Sequence, residues 1–287
     1  MKKNVWGLIG LSLLTAGPAF AADLAIPAPV YKAAPPAPPS WAGWYIGATA
    51  GGGWTNEGID NSVTSTFCTA GIVGCPASGP SLAAAVPTHF STDPKGFIGG
   101  GEIGYNWQIN QFVLGVEADL SGADINGSAT QSRSAPIAGF PQTINVEGTA
   151  SEKLDLFGTV RGRLGFLPSP QLLFYGTGGL AYGHASTATT FSEAVGGACS
   201  CGPFPTVSSS SSSTLTGWTV GGGLEWMFAP QWTLKGEYLY YDLGTLNYAS
   251  PQLSQANAAG TPFFGANVTS GAAVRGNIAR AGVNYKF

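Results

Sequence analysis

Residues 154–166 read LDLFGTVRGRLGF. Leu154, Leu156, Gly158, Val160, Gly162, Leu164 and Phe166 take every second position, and Asp155, Phe157, Thr159, Arg161, Arg163 and Gly165 fall between them. Successive side chains of a β-strand point to opposite faces. The stretch is therefore a strand with one apolar face and one face carrying Asp155, Arg161 and Arg163. The fold depends on which of these faces meets solvent.

Seven more segments of about ten residues share the period of two. They are Trp44–Trp54, Phe97–Trp107, Phe112–Leu120, Leu172–Gly183, Leu215–Phe228, Trp232–Leu243 and Val274–Phe287. Their connections alternate in length. QINQ, LPSPQ and APQ are tight turns built on Asn, Pro and Gln. Thr55–Gly96, Ser121–Lys153, His184–Thr214 and Gly244–Ala273 are long, rich in Ser, Thr, Ala, Gly and Asn, and read as loops. Short turns at one end and long connections at the other mark a transmembrane barrel. A soluble sandwich would bury its apolar faces against a second sheet and has no reason to sort its loops this way.

The charges say what the barrel encloses. Glu102, Glu117, Asp119, Asp155, Glu225 and Glu237 share the polar face with Arg161, Arg163, Lys235 and Arg280. Eight strands leave an interior just wide enough for side chains to fill. Charges placed there must pair. Arg161 and Glu117 lie at similar heights on neighbouring strands, as do Arg280 and Glu237. Mixed signs fit a packed interior network better than a selective channel lining. The predicted fold is all-β, an antiparallel up-and-down transmembrane barrel of eight strands over residues 43–287. The stretch STFCTAGIVGCP in the first long connection has enough β character for an extra hairpin, which would raise the count to ten. Trp44, Trp54, Trp107, Trp218, Trp226, Trp232 and Tyr285 lie near strand ends, where aromatic girdles belong. Glycines suit the tight curvature of a narrow barrel.

The N-terminus agrees. Lys2 and Lys3, an apolar run from Val5 to Ala16 and the small-residue site Ala19-Phe20-Ala21 form a secretory signal peptide over residues 1–21. The run is shorter than the ~20 residues that span a bilayer. Residues 22–42 include PAPVYKAAPPAPPS, an extended proline-rich segment that reads as a periplasmic tether. Removing the signal moves the formal charge from −3 to −5, so nucleic acid is not an expected partner. Charged residues make up 9% of the chain, against about 25% in soluble proteins. Cys68, Cys75, Cys199 and Cys201, in an exported chain, read as one or two disulfides. His89 and His184 stand apart from them, and no paired spacing suggests a metal.

No enzyme or cofactor signal survives its context. Gly99, Gly101 and Gly104 spell GxGxxG but lie inside a strand pattern with no helix following. No GxSxG elbow appears. The serine run Ser208–Ser213 reads as a flexible loop.

The motifs GWYIGATAGGGW, GTVRGRLGF, GGLAYG, GWTVGGGLEW, LKGEYLYYDLG and RAGVNYKF together resemble the Omp25/Omp31-type outer-membrane proteins of alphaproteobacteria. The likeness covers nearly all of the mature chain, strongly in strands and weakly in the long connections. It implies an eight-stranded barrel in the cell outer membrane, with outer-membrane lipid around it and an exposed, often immunogenic surface open to host or surface ligands. Members are called porin-like, and some are reported to bind haem compounds. No haem ligand carries over to a residue here. The final strand, with Tyr285 and Phe287, resembles the signal read by the barrel-assembly machinery, with periplasmic chaperones as the partners on the way.

Overall fold

The computed structural model describes residues 39–68, 75–196, 206–256 and 262–287. The expected signal peptide and nearly all of the proline-rich segment lie outside the described residues.

In chain order the elements are β1 (Gly43–Trp54), β2 (Ile59–Cys68), α1 (Cys75–Ala85), β3 (His89–Phe90), β4 (Lys95–Ile109), β5 (Phe112–Pro136) and β6 (Thr143–Ser169). They continue with β7 (Leu172–Gly196), β8 (Thr206–Ala229), β9 (Trp232–Ala249), β10 (Leu253–Ala256) and β11 (Pro262–Lys286). Eight of these form one antiparallel ring in the order β1, β4, β5, β6, β7, β8, β9, β11, and β11 pairs back with β1. The closing register runs from Tyr45 opposite Lys286 to Trp54 opposite Asn277. Closure leaves no free edge in the ring, the condition for placing a sheet in lipid. Phe287 adds a last bond, its N–H donating to the Trp44 carbonyl at 3.0 Å.

Consecutive ring strands meet at two-residue turns: Asn110-Gln111, Pro170-Gln171 and Pro230-Gln231. Asn110 takes a left-handed φ of 55°, which Asn tolerates better than most residues. At the opposite end the strands run far past the band of outward apolar residues. Where the sequence suggests loops at Ser121–Lys153 and His184–Thr214, β5, β6, β7 and β8 continue as paired strands. The run Ser208–Ser213 is not a loop but part of β8, in register with Thr190 to Ala185 of β7. A ladder needs only backbone N–H and C=O groups, so a polar, small-residue strand forms once a long neighbour offers its edge.

The first long connection does hold extra strands, but they do not widen the ring. β2 continues β1 along the edge of β11, from Ile59 opposite Ala272 to Cys68 opposite Phe264, and β3 pairs with β2. The connection also contains α1, which the strand pattern hides, and α1 packs against β2, β5, β6 and β11.

The outward face of the ring is apolar. On β5, Phe112, Leu114, Val116 and Leu120 are about half exposed, while Val113, Glu117 and Asp119 are buried inside. Two aromatic girdles bound this face. At the short-turn rim lie Trp44, Tyr105 and Trp107, the Phe112–Phe166 pair, and Trp232 with Tyr285 and Phe287. At the other end Trp54 meets Tyr238 and Trp218 meets Tyr240. Trp44 and Trp54 bound β1, and ten residue steps of a strand tilted by about 40° rise about 25 Å, the height of an outer-membrane apolar band.

The interior is filled in layers. At the short-turn rim Trp41, Val113, Leu167, Leu173, Tyr175 and Met227 form an apolar plug. The proline-rich reading of residues 22–42 is corrected at its end. Trp41 is buried in the barrel mouth, its backbone N–H donating to Gln108 at 2.7 Å and its indole N–H to the Pro170 carbonyl at 3.1 Å. Above the plug lies a layer of charge. Next comes an apolar layer including Ile98, Ile125, Phe157, Leu239 and Ile278. The long-strand end closes over an upper apolar core of α1, β2, β3, β6, β7 and β11, with Leu82, Phe90, Val146, Phe191 and Val268 at its heart.

Candidate functional site: a buried ion network in a capped lumen

Five acids and four bases meet between the plug and the middle apolar layer. β4 supplies Glu102, β5 supplies Glu117 and Asp119, and β6 supplies Arg161 and Arg163. β8 supplies Glu225, β9 supplies Lys235 and Glu237, and β11 supplies Arg280. Each is at most 5% exposed. Glu117 stands opposite Arg161 in the β5–β6 ladder, and Glu237 opposite Arg280 in the β9–β11 ladder.

Bonds cross the lumen as well as the ladders. Arg161 binds Glu117, reaches Asp119 at 3.3 Å and spans to Glu237 at 3.0 Å. Arg280 joins Asp119 at 3.2 Å to Glu237 at 2.7 Å. Lys235 sits 2.7 Å from Glu102 and 3.0 Å from Glu117. Arg163 holds Glu225 at 2.7 Å. A buried pair repays its desolvation only when geometry is good and the remaining lone pairs are satisfied. Neutral partners do this here. Tyr45 donates to Glu117 at 2.7 Å, Tyr175 to Glu237 at 3.1 Å and Asn284 to Glu225 at 2.9 Å. Thr159 donates to Asp119 and Thr233 to Glu225. The Arg163 guanidinium lies 4.2 Å from the Tyr175 ring centroid and 5.6 Å from that of Tyr45.

Asp155 does not join this set, which corrects the sequence reading. It is half-buried and sits at a register shift between Leu154 and Leu156. A bulge inserts one residue and moves later side chains to the other face. Strict alternation from Leu154 therefore assigns Asp155 the wrong surroundings, while Phe157 to Arg163 keep theirs. Tyr45, Thr159, Tyr175, Thr233 and Asn284 are network members that a search for charges overlooks. For Thr159, Thr233 and Asn284 the available signal was alternation parity with Arg161, Lys235 and Arg280 on their own strands, whereas β1 and β7 carry no network charge to set such a parity for Tyr45 and Tyr175.

Among the cysteines, Cys68 is disulfide-bonded at the end of β2. Cys75 opens α1, and Cys199 and Cys201 lie outside the described residues. His89 pairs with Asp60 at 2.7 Å on an exposed flank, and His184 faces Thr214 at 3.4 Å. Gly99, Gly101 and Gly104 lie within β4. Among the described residues no cluster of His, Cys, Asp and Glu could hold a metal ion.

The void between the middle and upper layers, bounded by Thr55, Ile125, Glu152, Thr187 and Tyr241, measures about 30 Å³, room for about two waters.

A closed eight-strand ring with an apolar belt, two aromatic girdles, short turns on one side and long strands on the other defines a bacterial outer-membrane β-barrel. The chain belongs to the outer membrane protein β-barrel domain family, whose model matches residues 19–287. It is 32% identical to the 31 kDa outer-membrane immunogenic protein of Brucella melitensis over 292 residues, covering 98% of each chain. It is also 32% identical over 163 residues to the 22 kDa outer membrane protein of Rhizobium leguminosarum, covering 55% of this chain and 59% of that one. Among solved structures, OprG of Pseudomonas aeruginosa aligns over 86% of this chain and 96% of its own, at 13% identity and a TM-score of 0.41. Outer-membrane barrels place short turns in the periplasm and long connections outside, so the short-turn rim is periplasmic and the long-strand end extracellular.

Proposed function

We propose that this protein is a closed, non-enzymatic barrel whose work is mechanical and surface-presenting. It anchors in outer-membrane lipid and holds a rigid extracellular tower available to other molecules. The observation that carries this reading is the lumen-spanning network of nine buried charged side chains, in which Arg161 and Arg280 each bridge carboxylates of β5 and β9. A solute path through it would have to part ion pairs in a low-dielectric interior. Trp41 below and α1 above further obstruct the axis. The immunogenic label on the Brucella relatives suits the long, ordered extension, which would present epitopes well clear of the lipid.

Planar-bilayer recording of the purified monomer tests this against porin-like passage. The expected trace has no stable conductance steps. Uniform, long-lived steps from the monomer would sink the closed-barrel reading.

A further inference from the structure

Among the described residues of the extracellular core, Glu193 is an ionisable side chain whose carboxylate has no hydrogen-bond partner. Glu193 lies on β7, where Thr187, Thr189, Phe191 and Glu193 alternate inward, and it is 4% exposed. Across the ladder it faces Val146, with Ile144 and Gly148 on either side. Val146, Ile144 and Phe191 belong to the apolar core that α1 closes with Leu82 and Ala85, and Val86 just past the helix adds to it. Neither carboxylate oxygen has a hydrogen-bond partner. Every member of the lumen network is paired, so this carboxyl is of a different kind.

No charge in its surroundings compensates it. α1 reads CPASGPSLAAA, without a titratable side chain other than its cysteine. On β6 the inward acid is Glu152, six residues from Val146 and held by Thr92, while Glu147 is exposed. On β5, Arg133 is exposed and reaches the Val86 carbonyl at 3.4 Å. Asp60 of β2 and His89 of β3 occupy each other on the flank. β8 carries no charged side chain from Thr206 to Leu224, β10 carries none, and the first on β11 is Arg275.

We propose that Glu193 is a proton-operated catch on the extracellular cap. Protonated, it lets α1 and the surrounding strand tips close into the apolar core. Ionised, it favours a loosened cap in which the carboxylate reaches water.

A carboxylate without a partner in an apolar core is strongly disfavoured, whereas the neutral acid is tolerated. Burial pushes the Glu193 carboxyl up from 4.5 to about 7. Between those values the closed cap holds a proton that the open cap has released, so closure weakens as pH rises. Below the lower value both states are protonated, and above the upper value both are ionised, so the dependence flattens on each side. The cap is thus tightest in acid and loosest from neutral pH upward.

Hydrogen exchange on the full mature protein in detergent micelles tests this, followed by mass spectrometry and corrected for the intrinsic pH dependence of exchange. In peptides spanning α1 and β3, opening of the wild type should rise roughly tenfold per pH unit between 5 and 7 and then level off. Glu193→Gln and Glu193→Met, run in parallel so that failure of one to assemble leaves the other, should both be flat. Glu147→Gln, on the exposed face of β6, should keep the wild-type profile. A flat wild type, or the same pH response in either Glu193 variant, would overturn the proposal. This outcome is independent of the conductance of the lumen.

Discussion

Arg161 stands opposite Glu117 in the β5–β6 ladder and also reaches across the lumen to Glu237, 3.0 Å away on β9. One side chain therefore ties two walls of the barrel that are not neighbours in the ring. Ladder hydrogen bonds hold each strand to the next, but only the interior network and the apolar layers resist flattening of the ring.

Arg161→Ala should cost far more than an exposed charge deletion. It leaves Glu117, Asp119 and Glu237 buried with fewer cations, and breaking a buried pair on one side costs about 3–5 kcal/mol. Urea unfolding in detergent micelles, read by the shift between folded and unfolded bands on unheated gels, should show the midpoint fall accordingly. Glu147→Gln, which removes an exposed acid, should stay within about 0.5 kcal/mol of the wild type. Equal stability of Arg161→Ala and wild type would show that the network contributes little.

Gly104→Ala should be disruptive despite its small size. Gly104 pairs with Tyr45, and a Cβ there would come within 2.3 Å of the Tyr45 ring and hydroxyl. The ring cannot yield without losing its bonds to Glu117 and Arg163. Overpacking of this kind costs about 1–3 kcal/mol, plus the lost polar contacts. Gly236, where a Cβ would meet nothing within 4 Å, provides the control. Gly236→Ala should melt near the wild type by circular dichroism, and Gly104→Ala clearly lower.

Deleting Phe287 should reduce the amount of folded protein in the outer membrane. The residue closes the β1–β11 seam through its bond to Trp44 and packs edge-on against Tyr285 at 5.3 Å. Fractionation with a folded-band assay is the measurement. Unimpaired assembly would count against a role for the terminal aromatic, both in the seam and as a signal to the assembly machinery.

Much of the membrane barrel was legible in the chain, because lipid leaves a strand few options. One face must be apolar and the other must pair its charges, so parity alone separates Leu114 and Val116 from Glu117 and Asp119. The extracellular half was legible in far less detail. From Ser186 to Thr190 and from Ser208 to Thr214 both faces carry small hydroxyl and methyl side chains, and no parity marks an inside. Those residues are strands because β6 and β7 are long enough to offer a backbone edge, a fact about neighbours rather than about local sequence.

The candidate site divides along the same line. Which residues carry charge, and which face they share below the bulge at Asp155, follows from the sequence by itself, because a strand repeats every two residues. Arg161 bonding across to Glu237, Asp155 being left out, Trp41 turning back into the barrel mouth and α1 covering the top were decided only by tertiary structure. Each of these depends on the distance between segments far apart in the chain, or on one inserted residue that resets the alternation. Glu193 belongs with them. A glutamate on a polar stretch of strand looks solvated until the cap closes over it and removes its water.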